Sequence, residues 1–286
     1  MSANKAEKTD DKRSLIIVRG AGDISTGTIH RLFRAGFPVL ALEAERPSAI
    51  RRKVAFSEAV YDGKAEVEGM TAIRIADAAQ ADAVWMSGAV PLLTDPAGES
   101  IRGLKPAVVV DAILAKKNLG TSMDMAPLTI ALGPGFVAGQ DVHYVIETMR
   151  GHDLGRIISR GSATANTGVP GIIAGYGAER VIHAPAEGVF HMHRDIGSMV
   201  EQNEIIGTIL SKEEEIPVRT QLTGVLRGII RDGYAVPKGF KIADVDPRRG
   251  ELKNCFTISD KARCIAGSVL ELVSAAQANR ERHLLQ

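Results

Sequence analysis

Apolar residues fall first into short continuous runs: 14–19, 38–43, 83–86, 107–110, 128–132 and 142–146. Unbroken apolar runs of this length fit strands covered on both faces of a sheet, whereas half-exposed strands alternate. Between the first two runs Ile24, Ile29, Leu32 and Phe33 recur at roughly helical spacing, and Gly36 stops them. The pattern predicts a β-α-β unit, two parallel strands joined by a right-handed crossover. Residues 48–80, with Arg51, Arg52 and Lys53, predict only mixed short elements. Near the C-terminus Ile265, Val269, Leu272 and Val273 return to helical spacing, with Ser259 placed to cap a helix running to about Ala276.

Between residues 182 and 245 the pattern repeats at a fixed offset of 36. Gly188 meets Gly224, Val189 meets Val225, Gly197 meets Gly233, Val200 meets Val236 and Ile206 meets Ile242. A lone hairpin cannot bury its apolar face, but two such halves can cover each other. The segments Ala184-Pro185-Ala186-Glu187-Gly188-Val189, Ile196-Gly197-Ser198-Met199-Val200 and Ile205-Ile206-Gly207 resemble the biotinyl/lipoyl barrel-sandwich hybrid. Cofactor-carrying members of that family place a modifiable lysine on the turn between the halves. Here Glu213 takes that register and no methionine flanks Lys212, so no lipoyl or biotinyl lysine is expected.

The expected fold class is therefore α/β: a Rossmann-like parallel sheet domain, a small all-β barrel-sandwich hybrid domain and a C-terminal helix. The expected boundaries are a disordered, charged tail over 1–13, the nucleotide-binding-like domain over 14–150 and a glycine-rich connection over 151–180. The barrel then spans 181–247 and a helical segment 248–286.

Gly20-Ala21-Gly22-Asp23-Ile24-Ser25-Thr26-Gly27 lies where the first strand gives way to the first helix. In that context Gly20 permits a tight turn, Gly22 lets a pyrophosphate approach the backbone, and the helix start offers free N–H groups. Glu43 ends the second strand, 23 residues after Gly20, close to where a carboxylate accepts ribose hydroxyls. NAD, FAD or another nucleotide would fit this pattern. Ser25 replaces the usual third glycine, and Asp23 brings a negative charge that would cap the helix in competition with a phosphate. A well-capped β-α turn without ligand remains the other reading.

Ligands of open α/β sheets sit at the carboxyl ends of the strands. Ser87, Asp111 and the Gly133-Pro134-Gly135 turn follow apolar runs directly and are placed at that rim. Asp111 is either a ligand or general-base carboxylate or the N-cap of a helix over 112–117; Asp124 either serves a site or caps its loop. Arg160 and Asn166 lie in the glycine-rich segment, where a guanidinium could clamp a phosphate or stand solvated. His191 and His193 share one side of a strand and read as surface residues rather than metal ligands; no metal is expected. Cys255 is either a redox or selenium-handling thiol or a small buried residue, the plainer reading.

Composition narrows the function classes. At 286 residues the chain suggests two domains of ordinary size. With 35 Lys+Arg against 34 Asp+Glu, nothing draws it to polyphosphate, so no nucleic-acid partner is expected. Its two cysteines, Cys255 and Cys264, fit no disulfide framework or common zinc spacing and suit a reducing, cytoplasmic setting. No apolar run of about 18 residues is present, so no membrane association is expected.

Taken together, "VRGAGDISTGTIHRLFRAGF", "VVVDAILAKKN", "MAPLTIALGPGFVAGQDVHYVIET", "RGHDLGR", "NTGVPG" and "DPR…NCFTISDKAR" resemble the YqeB-like family of the selenium-dependent molybdenum hydroxylase system. The resemblance spans residues 14 to 275. It implies an accessory role in maturing xanthine-dehydrogenase-like molybdenum hydroxylases, with the hydroxylase or its cofactor-assembly proteins as partners, and it carries over no catalytic residue. Under this expectation the N-terminal domain holds a nucleotide- or pterin-type ligand. Two alternatives stand beside it: an NAD(P)-dependent oxidoreductase, with His143 as a conceivable proton donor, and a non-enzymatic scaffold with a vestigial front domain.

Overall fold

A computed structural model describes residues 15–168 and 171–284 and divides them between two compact units. The first unit takes residues up to 47, 56–166 and 258 onward; the second takes 48–55 and 167–257. The expected tail over 1–13 lies outside the described residues.

The first unit is built on nine strands: β1 Ile16–Arg19, β2 Val39–Glu43, β3 Lys64–Val67, β4 Met70–Ile75, β5 Val90–Thr94, β6 Val108–Asp111, β7 Leu128–Leu132, β8 Tyr144–Ile146 and β9 Ile157–Ile158. They form one sheet in the order β3-β4-β5-β2-β1-β6-β7-β8-β9. The seven inner strands pair parallel, while β3 and β9 close the two edges antiparallel. Five α-helices accompany them among the described residues: α1 Asp23–Arg34, α2 Ala59–Asp62, α3 Ala81–Met86, α4 Glu99–Leu104 and α5 Asp260–Leu284. Ile17, Leu40, Leu42 and Val109 pack with Ala81 and Ile101 on one face. Ile16, Val18, Ile29 and Leu32 are wholly buried, and strand alternation turns Ile16 and Val18 to the opposite face.

These features correct the expected fold class. The sheet is mixed, and neither the β6–β7 nor the β7–β8 connection carries a crossover α-helix. The helix expected over 112–117 is absent because Leu114 and Lys116 adopt φ of 60° and 64°, which α-helical backbone excludes. The run at 83–86 is α3 rather than a strand; a short apolar run does not by its spacing distinguish the two. The stretch 48–80, where only mixed short elements were expected, holds the β3–β4 hairpin, whose Glu68-Gly69 turn has φ of 49° and 77°, the positive pair a two-residue hairpin favours. The closing helix belongs to the first unit, where Gly27 of α1 meets Ala262 of α5; a Cβ on Gly27 would stand 2.8 Å from the Ala262 Cβ. Ser259 Oγ accepts from the Ala262 amide at 3.2 Å and starts that helix.

The second unit contains β10 Val181–His183, β11 Gly188–Met192, β12 Met199–Val200, β13 Ile205–Ser211, β14 Glu214–Arg219, β15 Gly224–Ile229, β16 Ala235–Val236 and β17 Lys241–Asp246. These make two four-stranded antiparallel sheets, β10-β17-β15-β12 and β14-β13-β11-β16. At the offset of 36, β11, β12 and β13 fall on β15, β16 and β17. Phe190, Ile206, Ile209, Val225, Leu226, Ile242 and Val245 fill the space between. Residues 48–55 dock on β15: the Ile229 amide donates to Ile50 O at 2.8 Å, and Arg52 Nε donates to Ile229 O at 2.8 Å. The layout expected here, a sequence-contiguous barrel-sandwich hybrid followed by a separate helical segment, is therefore corrected as well.

Candidate functional site

Parallel strands bring their carboxyl ends to one rim, and the first unit concentrates its polar side chains there. Arg19 ends β1 and Asp111 ends β6, paired in register. Both are buried, with Arg19 Nη1 3.9 Å from Asp111 Oδ2. Arg19 also donates to the Thr121 hydroxyl and, at 3.0 Å, to Pro96 O; Thr121 in turn donates to Asp111 Oδ2 at 2.6 Å. Burial pushes the Asp111 carboxyl above its ordinary value, against the pull of the Thr121 hydroxyl, the Ile113 amide and the Arg19 charge. The gap between β1 and β6, where an open sheet offers its crevice, is thus occupied by the protein's own guanidinium and carboxylate.

The glycine-rich turn is partly explained by the same neighbours. Gly20 has φ of 95°, and a Cβ there would lie 2.8 Å from Ala112 O. Its freedom serves the close passage of the chain leaving β6. Glu43, at the end of β2, accepts from the Ala21 amide and the Ala44 amide, each at 2.7 Å. Burial raises its carboxyl, and those two amides hold it back. Gly22, not Asp23, is the N-cap of α1 and makes no side-chain cap bond; Asp23 is the first helical residue. A Cβ on Gly22 would meet nothing within 4 Å, so open space lies beside the first turn of α1.

A second helix start stands next to it. Gly27 meets Ala262 near the beginnings of α1 and α5, and further along Arg31 lies beside Gly267, so the two helices run parallel. Their positive dipole ends therefore lie together. Lys261, the second residue of α5, is half-buried, and no hydrogen bond to its amine is found among the described residues. Burial, reinforced by Arg150, pushes the Lys261 amine below its ordinary value against the pull of Asp23, Glu147 and Asp260. Arg150 is itself engaged by Asp260 at 2.8 and 3.0 Å. Glu147, just past β8, is tied by the Met149 amide, the Thr164 amide and the Thr164 hydroxyl, each at 2.7 Å.

The remaining expected residues divide between the rim and elsewhere. Gly133 and Gly135 stand at the rim, with φ of 83° and 111° and with Thr148 and Lys117 pressed against them. Ser87 is at the end of α3, before β5, where its hydroxyl donates to Val84 O at 2.7 Å; the rim placement is corrected because 83–86 is helical. Asp124 is exposed on the turn Met123–Met125 ahead of β7 and accepts from the Ser122 hydroxyl, so it too is away from the rim. Arg160 and Asn166 are exposed. In the second unit Cys255 is buried, while His191 lies 3.9 Å from Asp232 and His193 is exposed.

Sequence reading missed Arg19, Thr121, Glu147 and Lys261. The signal for the first was present: the apolar run 14–19 ends in Arg19, and the run 107–110 is followed at once by Asp111, the opposite charge. Lys261 lies inside the quoted "SDKAR" segment, two residues past its capping serine.

The rim and its paired helix starts belong to an α/β unit built on a nine-stranded mixed sheet. No family model matches the chain. It is 51% identical over 257 residues to the uncharacterized protein YqeB of Escherichia coli K12, covering 90% of this chain and 47% of YqeB. The chain spans about half the length of that relative. Among solved structures, the product-bound ectoine utilization protein EutE (DoeB) of Ruegeria pomeroyi aligns at 11% identity and TM-score 0.27, over 82% of this chain and 85% of its own. A succinylglutamate desuccinylase/aspartoacylase of Rhodobacter sphaeroides aligns at 13% identity and TM-score 0.25, over 77% and 62%.

Proposed function

We propose that the chain is an accessory protein of molybdenum hydroxylase maturation that holds a phosphate-bearing ligand of nucleotide or pterin type where α1 and α5 begin. The observation that carries the ligand reading is the parallel pair of helix starts with Lys261 beside them. The aligned dipoles of two helix starts favour an anion at such a place, and an ammonium with no hydrogen-bond partner among the described residues adds a compensating charge. Open space at Gly22 leaves room for it. Arg19, Asp111 and Glu43 then act as framework, holding the loops that shape the rim, while the maturation role follows from the resemblance set out above.

The test is calorimetric titration of the full chain with AMP, GMP, NAD, FAD and a pterin monophosphate. One of these is expected to bind, and Lys261→Gln is expected to weaken it about 10- to 100-fold, as removal of a charge-assisted contact does. Silence from all five at millimolar concentration removes the ligand reading. The maturation role is read separately, from molybdenum and selenium in the hydroxylase of a strain lacking the gene; unchanged contents remove it.

A further inference from the structure

At the other end of the same sheet, beside the amino ends of β1 and β2, lies a cavity of about 660 Å³. That volume is within the range of small-molecule sites, which are mostly apolar with few polar groups. Leu15, Phe37, Leu40 and Leu104 supply an apolar lining, and Trp85 contributes the chain's single indole. Trp85 Nε1 donates to Val39 O at 2.8 Å, which fixes the ring and consumes its N–H. What remains of the indole for a ligand is its π surface.

The charged residues that line this space have one sign, while Arg31 and Arg34 stand in the last turn of α1 beside it. Asp77 and Asp82 line it, and no lysine or arginine does so among the described residues. Asp77 uses Oδ1 to accept the Ala79 amide at 2.7 Å, while no bond to the Asp82 carboxylate is found among the described residues. Phe33 and Gly36, at the C-terminal end of α1, also border it; a helix C-terminus carries partial negative charge. Two carboxylates, a helix C-terminus and an aromatic ring each favour a cation, and the ring does so through its quadrupole. We infer that this cavity is a second binding site, taking an organic ammonium with an aromatic or aliphatic body. The body fills the apolar floor, and the ammonium pairs with Asp82 at the mouth.

Trp85 is the natural reporter. The full chain is titrated, reading its emission, with phenylbutylamine, phenylbutanol and phenylbutyrate. The amine is expected to perturb the emission and to bind at least about tenfold more tightly than the acid, a difference of about 1.4 kcal/mol. Asp82→Asn, a change at an exposed position, should bring the amine to the level of the alcohol, while Leu104→Ala should weaken all three alike. Acid binding as tight as amine binding, or no response to any of the three, overturns the proposal. So does a response seen only after removal of residues 1–14, which assigns the space to that segment, or an emission maximum that shifts with protein concentration in the absence of ligand, which assigns it to a second copy.

Discussion

The two units spend their buried charge differently. In the first, Arg19 and Asp111 end two adjacent parallel strands, and the guanidinium reaches onward to Thr121 and Pro96, gathering chain from after β5 and β6. In the second, Arg180 and Arg227 converge on one carboxylate, Asp244 in β17, at 3.0 and 3.8 Å. One arrangement pins loops around a rim; the other pins neighbouring elements of a compact β unit whose core is otherwise apolar. A buried ion pair contributes little net stability against a well-packed apolar substitute, yet breaking one side of it is costly. The same device therefore gives rigidity of loops in one place and fixed strand register in the other.

The sharpest way to break that comparison is to remove each carboxylate. Asp111→Ala and Asp244→Ala should each cost about 3–5 kcal/mol, since each leaves a buried guanidinium short of its counter-charge. Denaturant unfolding measures both. If loops are what Arg19 organises, Asp111→Ala should also speed amide exchange over 95–98 and 112–121, whereas Asp244→Ala leaves those segments protected. Equal protection losses in both variants would erase the distinction.

Next in size are the glycines of the repeat. A Cβ on Gly188 would stand 2.3 Å from Leu210 O, and one on Gly224 2.3 Å from Asp246 O. Each strand-start glycine lets a partner strand's carbonyl approach closely, and the two contacts are themselves related by the offset of 36. Gly188→Ala and Gly224→Ala should each destabilise by about 1–3 kcal/mol, the usual range for forced overpacking. Gly188 has φ of 152° as well, so its variant should be the worse of the pair. Nearly equal or reversed losses would show that backbone conformation adds nothing to the clash.

This repeat was legible because its signals are local: turn glycines and apolar clusters a fixed distance apart. In the first unit the same is true of β1, α1 and β2, where a run, a helical period and a stopping glycine sit within one crossover. The antiparallel edges were not legible, since strand direction depends on partners distant in sequence. Nor was the exchange of segments between units: nothing in Ile50 or Arg52 announces docking on Ile229, and nothing in Gly27 announces Ala262. Of the site, the glycine turn and Asp111 were found from position alone. Their roles depended on Ala112 and Arg19, which only three-dimensional proximity supplies. The helix start at Ser259 was readable, but its meeting with α1, which gives Lys261 its surroundings, was not.

The smallest expected effect concerns Glu147 and is read through pH. Burial pushes this carboxyl up, but the Met149, Thr164 and Thr148 amides and the Thr164 hydroxyl outweigh it and hold the pKa below its ordinary value. A carboxyl held low in the folded chain contributes stability that is complete above its unfolded pKa and is lost as pH falls through the folded one. Glu147→Gln should therefore cost about 1–2 kcal/mol at neutral pH, the worth of a charge-assisted bond, with the deficit shrinking on acidification. Asp111 and Glu43 are raised instead, so their own contributions run the other way, growing as pH falls. Unfolding curves of the wild type and the Gln variant that stay parallel from pH 7 to strongly acid conditions would show that Thr164 and Met149 hold Glu147 by shape rather than by charge.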